Sequence, residues 1–468
     1  MRLFKKATAT LAILILQLNV LYAVGKSEIK TDRLTCEYMV NPLGIEVVKP
    51  RLSWTILSSI RNQKQTAYEV VVSDNIKDIK RMKGNIWQTG KVSSSESVHV
   101  AYDGNPLKAF TRYYWRVKVY GKNGSSDWTE FQWFETAMLK ASDWQGKWIG
   151  DGSQQFAKDE DFYKNDPMPL LRKAINAEKK IVSARLYISG LGYYEAFVNG
   201  KKVGDHVLDP GCTSYGKQVL YSVYDITPHM KKGLNAFGVM LGNGWYNLLP
   251  LRFWGGLNMR NFLVSGRPCV KAMISLQYVD GSTSVVHTDE SWQTTSGPII
   301  RNSIFLGEHY DARKEKVHWN TINANTSDWK NAVEVEGPKG TLSPQMQLPI
   351  RVTKIIHPIS VNEIKPGVFI FDKGQNFAGV ARFRVKGSAG TQVKVRYGED
   401  VYADGSLNVM TAVAGQIKGG NGGPGAPQIA WQEDSYILKG TEWRNGRPGL
   451  PFMGSGLLRY LGGQANRG

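Results

Sequence analysis

The chain has 468 residues, 49 of them glycine, with 59 Lys and Arg against 40 Asp and Glu and a formal charge of +19. Three cysteines (Cys36, Cys212 and Cys269) are too few for a disulfide framework, and they show no metal-ligand spacing. The basic residues are scattered along strand-like segments, with no basic helix and no recognisable nucleic-acid module, so the charge suits a solubilising surface or an anionic polysaccharide better than DNA or RNA.

In chain order, Arg2, Lys5 and Lys6 precede the apolar residues 11–18 and a small residue, Ala23. This three-part layout predicts a secretory signal over 1–23, and its apolar part is too short for a resident transmembrane helix. The expected location is periplasmic or extracellular, with no membrane-spanning segment in the mature chain. Strand-like runs follow at 51–55, 66–73 and 111–120, and the last places Tyr113, Trp115, Val117 and Val119 on one face. Short strands punctuated by turns such as 121–124 predict a β-sandwich over 24–138, which resembles a fibronectin type III domain.

A second unit is expected over 139–345. Residues 181–189 and 194–198 alternate as strands, and Asn199-Gly200 supplies the positive-φ turn of a two-residue hairpin. Further strands are predicted at 221–226, 235–241, 273–278 and 285–288. A third unit, 346–440, carries 367–372, 381–386 and 391–397, with Phe383, Val385, Val393 and Val395 toward a core. The glycine-rich run 417–427 reads as a mobile loop.

Several segments resemble bacterial α-L-rhamnosidases of glycoside hydrolase family 78, in the family's order. They are 192–205 (with Gly192, Tyr194, Asn199, Gly200 and Asp205), 208–215 (with Pro210 and Gly211), 221–227, and 241–246 (with Gly242 and Gly244). In the third unit, 371–379 contains Asp372, Gly374, Gln375, Asn376 and Gly379 of an F-D-x-G-Q-N-x-x-G pattern, and 434–440 resembles a strand preceding the catalytic region. The resemblance implies release of terminal α-L-rhamnose from a polysaccharide or glycoside, without a cofactor. It also implies an all-β chain of sandwiches, fibronectin type III-like and then two of jelly-roll or concanavalin-like type. The family's catalytic carboxylates lie in an (α/α)6 barrel C-terminal to such domains, and no matching helical region is read here. A related lyase acting on rhamnosyl-uronate remains open on the same grounds.

Glycoside hydrolysis needs two carboxylates flanking the bond. Glu195, Asp205, Asp209, Glu308, Asp311, Asp372, Glu399 and Asp400 lack a specific motif, so no catalytic residue is assigned. No metal site is read from the histidines. Trp245, Tyr246 and Trp254 are candidates for sugar contact or domain-interface packing, because the apolar face of a pyranose covers aromatic ring area. The family-motif residues are read as structural. An exported carbohydrate-binding or adaptor protein for an acidic, pectin-like glycan is the rival reading.

Beyond Gly440 periodicity fails. A shifted reading of the codons for 451–456 permits Phe-His-Gly-Phe-Arg, with Pro-Arg-Phe-Thr ahead of it, which resembles the P-R-F-T-x-H-G-F-R segment closing the family's third β domain. The expectation is a frameshifted tail over 441–468, an incomplete third sandwich without its closing strand, and coding DNA that continues into the barrel.

Overall fold

A computed structural model of the chain describes residues 29–122, 124–254, 256–440, 444–446 and 456–466. The signal expected over 1–23 lies outside them, as do 441–443 and the codon-shift segment 447–455. The chain divides into two compact units, 1–144 and 145–468.

In the first unit the strands Lys30–Cys36, Arg51–Leu57 and Val100–Ala101 form one sheet. A second sheet runs Trp87–Gln88, Gln65–Ser73, Arg112–Gly121, Gly124–Ser125, with Gln132–Glu135 also on Arg112–Gly121. Alternation decides which side chains face inward. Tyr113, Trp115, Val117 and Val119 are all buried, and Val70 and Val72 of the neighbouring strand pair with Val117 and Trp115. Trp54 packs edge-on against Tyr68 and donates its indole N–H to Gln65 at 2.9 Å, which satisfies its polar end inside the core.

The second unit begins with two facing sheets. One runs Lys201–Lys202, Tyr193–Val198, Gly233–Gly242, Pro169–Ala177, Gln293–Ser296, Lys330–Asn331. The other runs Val333–Glu334, Ile149–Gly150, Cys269–Tyr278, Ile181–Leu191, Gln218–Asp225, Thr341–Pro344, with Thr283–His287 beside Cys269–Tyr278. Tyr194, Ala196 and Val198 point into the layer between them with Leu186, Ile188, Phe237, Val239, Val270 and Ile274. Burying such side chains contributes about 1.5–3 kcal/mol each. The alternate residues Tyr193 and Phe197 face a separate apolar cluster with Ile299, Ile304 and Trp329.

That second cluster is where the next sheet attaches. Its order is Ile299–Ser303, Gly307–Asp311, Glu433–Ile437, Gln392–Gly398, Gly456–Asn466, Val368–Gly379, Ser360–Lys365. The first two strands come from the segment expected to belong to the second sandwich, so the sheet crosses the expected 345/346 boundary. Gly307–Asp311 runs parallel to Glu433–Ile437, and the rings of Tyr310 and Tyr436 stack at 5.2 Å across the join. Two expectations are corrected here. Gly456–Asn466 fills the place between Gln392–Gly398 and Val368–Gly379, so the third sheet does not lack a strand there. The glycine-rich run is packed rather than mobile: Ile417 and Ala426 join Phe162, Leu251 and Phe253 in one cluster. A Cβ at Gly425 would stand 2.6 Å from the Glu160 Cα, so only glycine permits this close approach.

Candidate functional site

The hairpin that carried the resemblance folds as its turn residues require. Asn199 and Gly200 stand at φ +50° and +82°, the twist a two-residue loop needs. The Asn199 carboxamide ties the turn to the next strand, donating to the His229 carbonyl and accepting from the Ala236 N–H, both at 2.9 Å. Behind it, Gly192 and Gly244 bring two backbones together: a Cβ at Gly192 would lie 1.9 Å from the Asn243 carbonyl oxygen. Gly242 accepts at its carbonyl from the Gly192 N–H at 3.1 Å.

Tyr194 reaches from this hairpin to Asp209, which is 3% exposed. The Tyr194 and Tyr224 hydroxyls each donate to Asp209 Oδ2 at 2.8 Å, and the Ser222 hydroxyl donates to the same oxygen. Gln345 Nε2 donates to Oδ1 at 3.1 Å, and His206 Nδ1 stands 3.4 Å from it. Burial alone would raise this carboxyl; hydrogen bonds from His206, Ser222 and Tyr194 hold it below its ordinary value. The following Asp209–Pro210 peptide is cis, and the Gly211 N–H donates to Gln345 Oε1 at 2.8 Å. Asp205 lies outside this knot, paired with Arg351 at 2.8 Å. An ionised carboxylate with both oxygens engaged and sealed from solvent ties four segments together; it offers no substrate an acid or a nucleophile.

The other buried acids lie where Gly307–Asp311 meets Glu433–Ile437. Asp434 is fully buried; its Oδ1 accepts the Glu308 N–H at 2.9 Å and its Oδ2 accepts the Tyr397 hydroxyl. Burial pushes the Asp434 carboxyl up to about 7, against those two hydrogen bonds. Glu308 is 1% exposed, and neither carboxyl oxygen has a hydrogen-bond partner. Burial, with Asp434 and Glu195 nearby, lifts it well above the usual carboxylate range. Both carboxyls are pushed upward, and perturbed acidity in a neighbouring pair is one mark of a functional site. Here neither is accessible to a glycosidic bond, so the arrangement is a buried join between two strands of one sheet. Sequence reasoning named Glu308 among eight acids but missed Asp434 as its neighbour, although Asp434 opens the motif-bearing strand.

The three candidate aromatics separate. Tyr246 is 4% exposed and packs edge-on to Tyr215 at 5.4 Å, a core residue. Trp245 is half-buried against Phe305 at 5.9 Å. Trp254 is 79% exposed. In the third sheet, Gly374 stands at φ +74° and donates its N–H to Asp372 Oδ1 at 2.7 Å. Gln375 and Asn376 are exposed where the register with Gly456–Asn466 shifts, and a Cβ at Gly379 would press on the Phe377 ring at 2.7 Å. A cleft of about 330 Å³ beside Pro167 and Gly297 includes Arg313 and Lys316, which pair with Asp311 and Asp328 at 2.8 and 2.5 Å. Its charge is therefore partly neutralised before any acidic glycan arrives. Among the described residues no cluster of three or more His, Cys, Asp or Glu side chains is arranged to hold a metal ion.

The described residues thus form serial β-sandwiches in which the carboxyls of Asp209, Glu308 and Asp434 are sealed from solvent. Family models match in sequence: the N-terminal immunoglobulin domain of Rha78A-like proteins over 31–140, the α-L-rhamnosidase N-terminal domain over 179–354, and the bacterial α-L-rhamnosidase concanavalin-like domain over 362–461. The chain belongs to the α-L-rhamnosidase family, glycoside hydrolase family 78, through these β domains. The first match describes the N-terminal sandwich as an immunoglobulin domain, an architecture that fibronectin type III domains share. The third shows that family likeness continues past Gly440, to residue 461. An α-L-rhamnosidase of Formosa agariphila is 34% identical over 92% of this chain and 46% of its own length. One from an Alteromonas species is 30% identical over 83% and 43%. The solved structure of the α-L-rhamnosidase from Dictyoglumus thermophilum superposes with a TM-score of 0.82 at 35% identity, covering 94% of this chain and 47% of that one. The chain thus spans about half the length of these relatives.

Proposed function

We propose that this chain is the β-domain portion of an exported α-L-rhamnosidase acting on a rhamnose-containing polysaccharide or glycoside, and that hydrolysis itself belongs to the half of the relatives it does not span. One observation carries this reading. The family likeness runs over the three β domains, yet the buried carboxyls Asp209, Glu308 and Asp434 are sealed into structure. Inverting or retaining hydrolysis requires two carboxyls open to the scissile bond. No helix among the described residues is long and apolar enough to cross a membrane. Export rests on the layout of residues 1–23, and N-terminal sequencing of the mature protein should begin near Val24.

The test compares two polypeptides on rhamnosyl-terminated pectic oligosaccharides, with free L-rhamnose quantified. This chain releases none. A polypeptide extended by the relatives' remaining half releases it; failure of the extended form to do so overturns the assignment of substrate.

A further inference from the structure

Trp254 sits at the tip of the short hairpin formed by Arg252–Phe253 and Leu257–Asn258, with backbone φ +44°. A left-handed tryptophan is disfavoured unless its surroundings impose it, and such positions concentrate at binding sites. The surroundings are visible. Phe253, buried, lies 5.8 Å from the Trp254 ring and 5.1 Å from Phe305, which in turn meets Trp245 at 5.9 Å. The hairpin is braced from the other side by the glycine-rich run, whose Gly422 carbonyl accepts the Arg252 N–H at 3.0 Å. A row of packed aromatics thus ends in one indole that is 79% exposed. Alternation turns Phe253 inward and Arg252 outward with Trp254, and the Arg252 guanidinium stands 4.0 Å from the Asp159 carboxylate, both partly exposed.

We propose that the exposed Trp254 ring is a sugar-stacking site, with the Arg252–Asp159 pair supplying charged donors and acceptors for hydroxyls, and that it takes a rhamnosyl unit of the glycan. The choice of sugar rests on the family reading above. A flat ring matches the apolar C–H face of a pyranose, and a 6-deoxy sugar adds a methyl group where others carry a hydroxyl. A rigid platform loses little entropy on binding, which is what the aromatic row provides. The same segment also exposes Phe262 (73%) and Val264 (45%), so a protein partner is the competing occupant.

Calorimetric titration of the full chain with methyl α-L-rhamnopyranoside decides between them, with methyl α-D-glucopyranoside as control sugar. Trp254→Ala should fold as the parent does and weaken rhamnoside binding about tenfold, the loss of one stacked aromatic face. Trp254→Phe, which keeps a ring, should recover most of the affinity. Rhamnoside binding that ignores Trp254→Ala overturns the site and leaves the family reading standing. Binding of the glucoside through Trp254, with none of the rhamnoside, upholds the stacking site and overturns the rhamnosyl assignment. No binding of either sugar, or self-association that Trp254→Ala abolishes without any effect on sugar, overturns the proposal in favour of a protein contact.

Discussion

Asp209 and Glu308 are both buried acids in the same unit, and they are built in opposite ways. Asp209 is surrounded by donors from four segments and stays ionised. Glu308 has no hydrogen-bond partner for either carboxyl oxygen, lies near Asp434 and Glu195, and is pushed toward the neutral form. Burial is equal; the supply of donors differs. A buried carboxylate costs several kcal/mol unless it is hydrogen-bonded or paired, and a carboxyl without such partners avoids that cost by keeping its proton. Burial and a perturbed acidity therefore do not by themselves mark a catalytic acid, since here both outcomes serve the joining of strands.

Breaking the donor-rich centre should have the largest effect. Asp209→Ala leaves the Ser222 hydroxyl and the Gln345 amide without their acceptor, while the Tyr194 and Tyr224 hydroxyls keep only each other and His206, and each buried orphan costs about 1–3 kcal/mol. A loss of about 3–5 kcal/mol in urea unfolding of the second unit is expected. The acid side gives the sign. Because the folded-state carboxyl is depressed below its ordinary value of 3.8, its contribution is present above that pH and lost as pH falls through the folded value. Asp209→Ala should therefore flatten the acid limb of the stability profile.

Asp434→Asn is expected to cost less, about 1–2 kcal/mol, because one of its two acceptor positions, for the Glu308 N–H or the Tyr397 hydroxyl, becomes a donor. Glu308→Gln should be smaller still, within about 1 kcal/mol at pH 5, since it replaces a neutral group by a neutral isostere. Its pH dependence runs opposite to that of Asp209. The folded state binds the proton more tightly than the unfolded chain, so Glu308 lowers stability progressively as pH rises above its ordinary value of 4.5. Glu308→Gln should flatten the alkaline decline in thermal unfolding scans; an unchanged decline would mean that Glu308 is ionised after all. Trp254→Ala, on the surface, should shift stability by less than about 0.5 kcal/mol while changing sugar binding.

Much of this was legible before the fold was known, where local rules suffice. The inward face of Tyr113, Trp115, Val117 and Val119 follows from period-two alternation, and Asn199-Gly200 from the φ demands of a short hairpin. The Asp209 centre was hidden because its partners are remote in sequence, Gln345 lying 136 residues away. Nothing local separates Tyr246, a core residue, from Trp254, an exposed one. The strand Gly456–Asn466 escaped notice because Gly456, Gly462 and Gly463 blur its pattern, glycine being depleted in strands. The pairing of Gly307–Asp311 with Glu433–Ile437 is hidden for a similar reason: it joins segments more than a hundred residues apart in sequence, and no local signal records it.

Asp209, Glu308 and Asp434 join strands in the interior, so the chain is expected to leave a rhamnoside intact. The most direct test is the release of 4-nitrophenol from 4-nitrophenyl α-L-rhamnopyranoside by the purified, folded chain. No turnover above that of buffer is expected, from the parent chain or from Asp209→Asn and Glu308→Gln. Turnover by the parent chain that either substitution abolishes, with the fold intact, would contradict it.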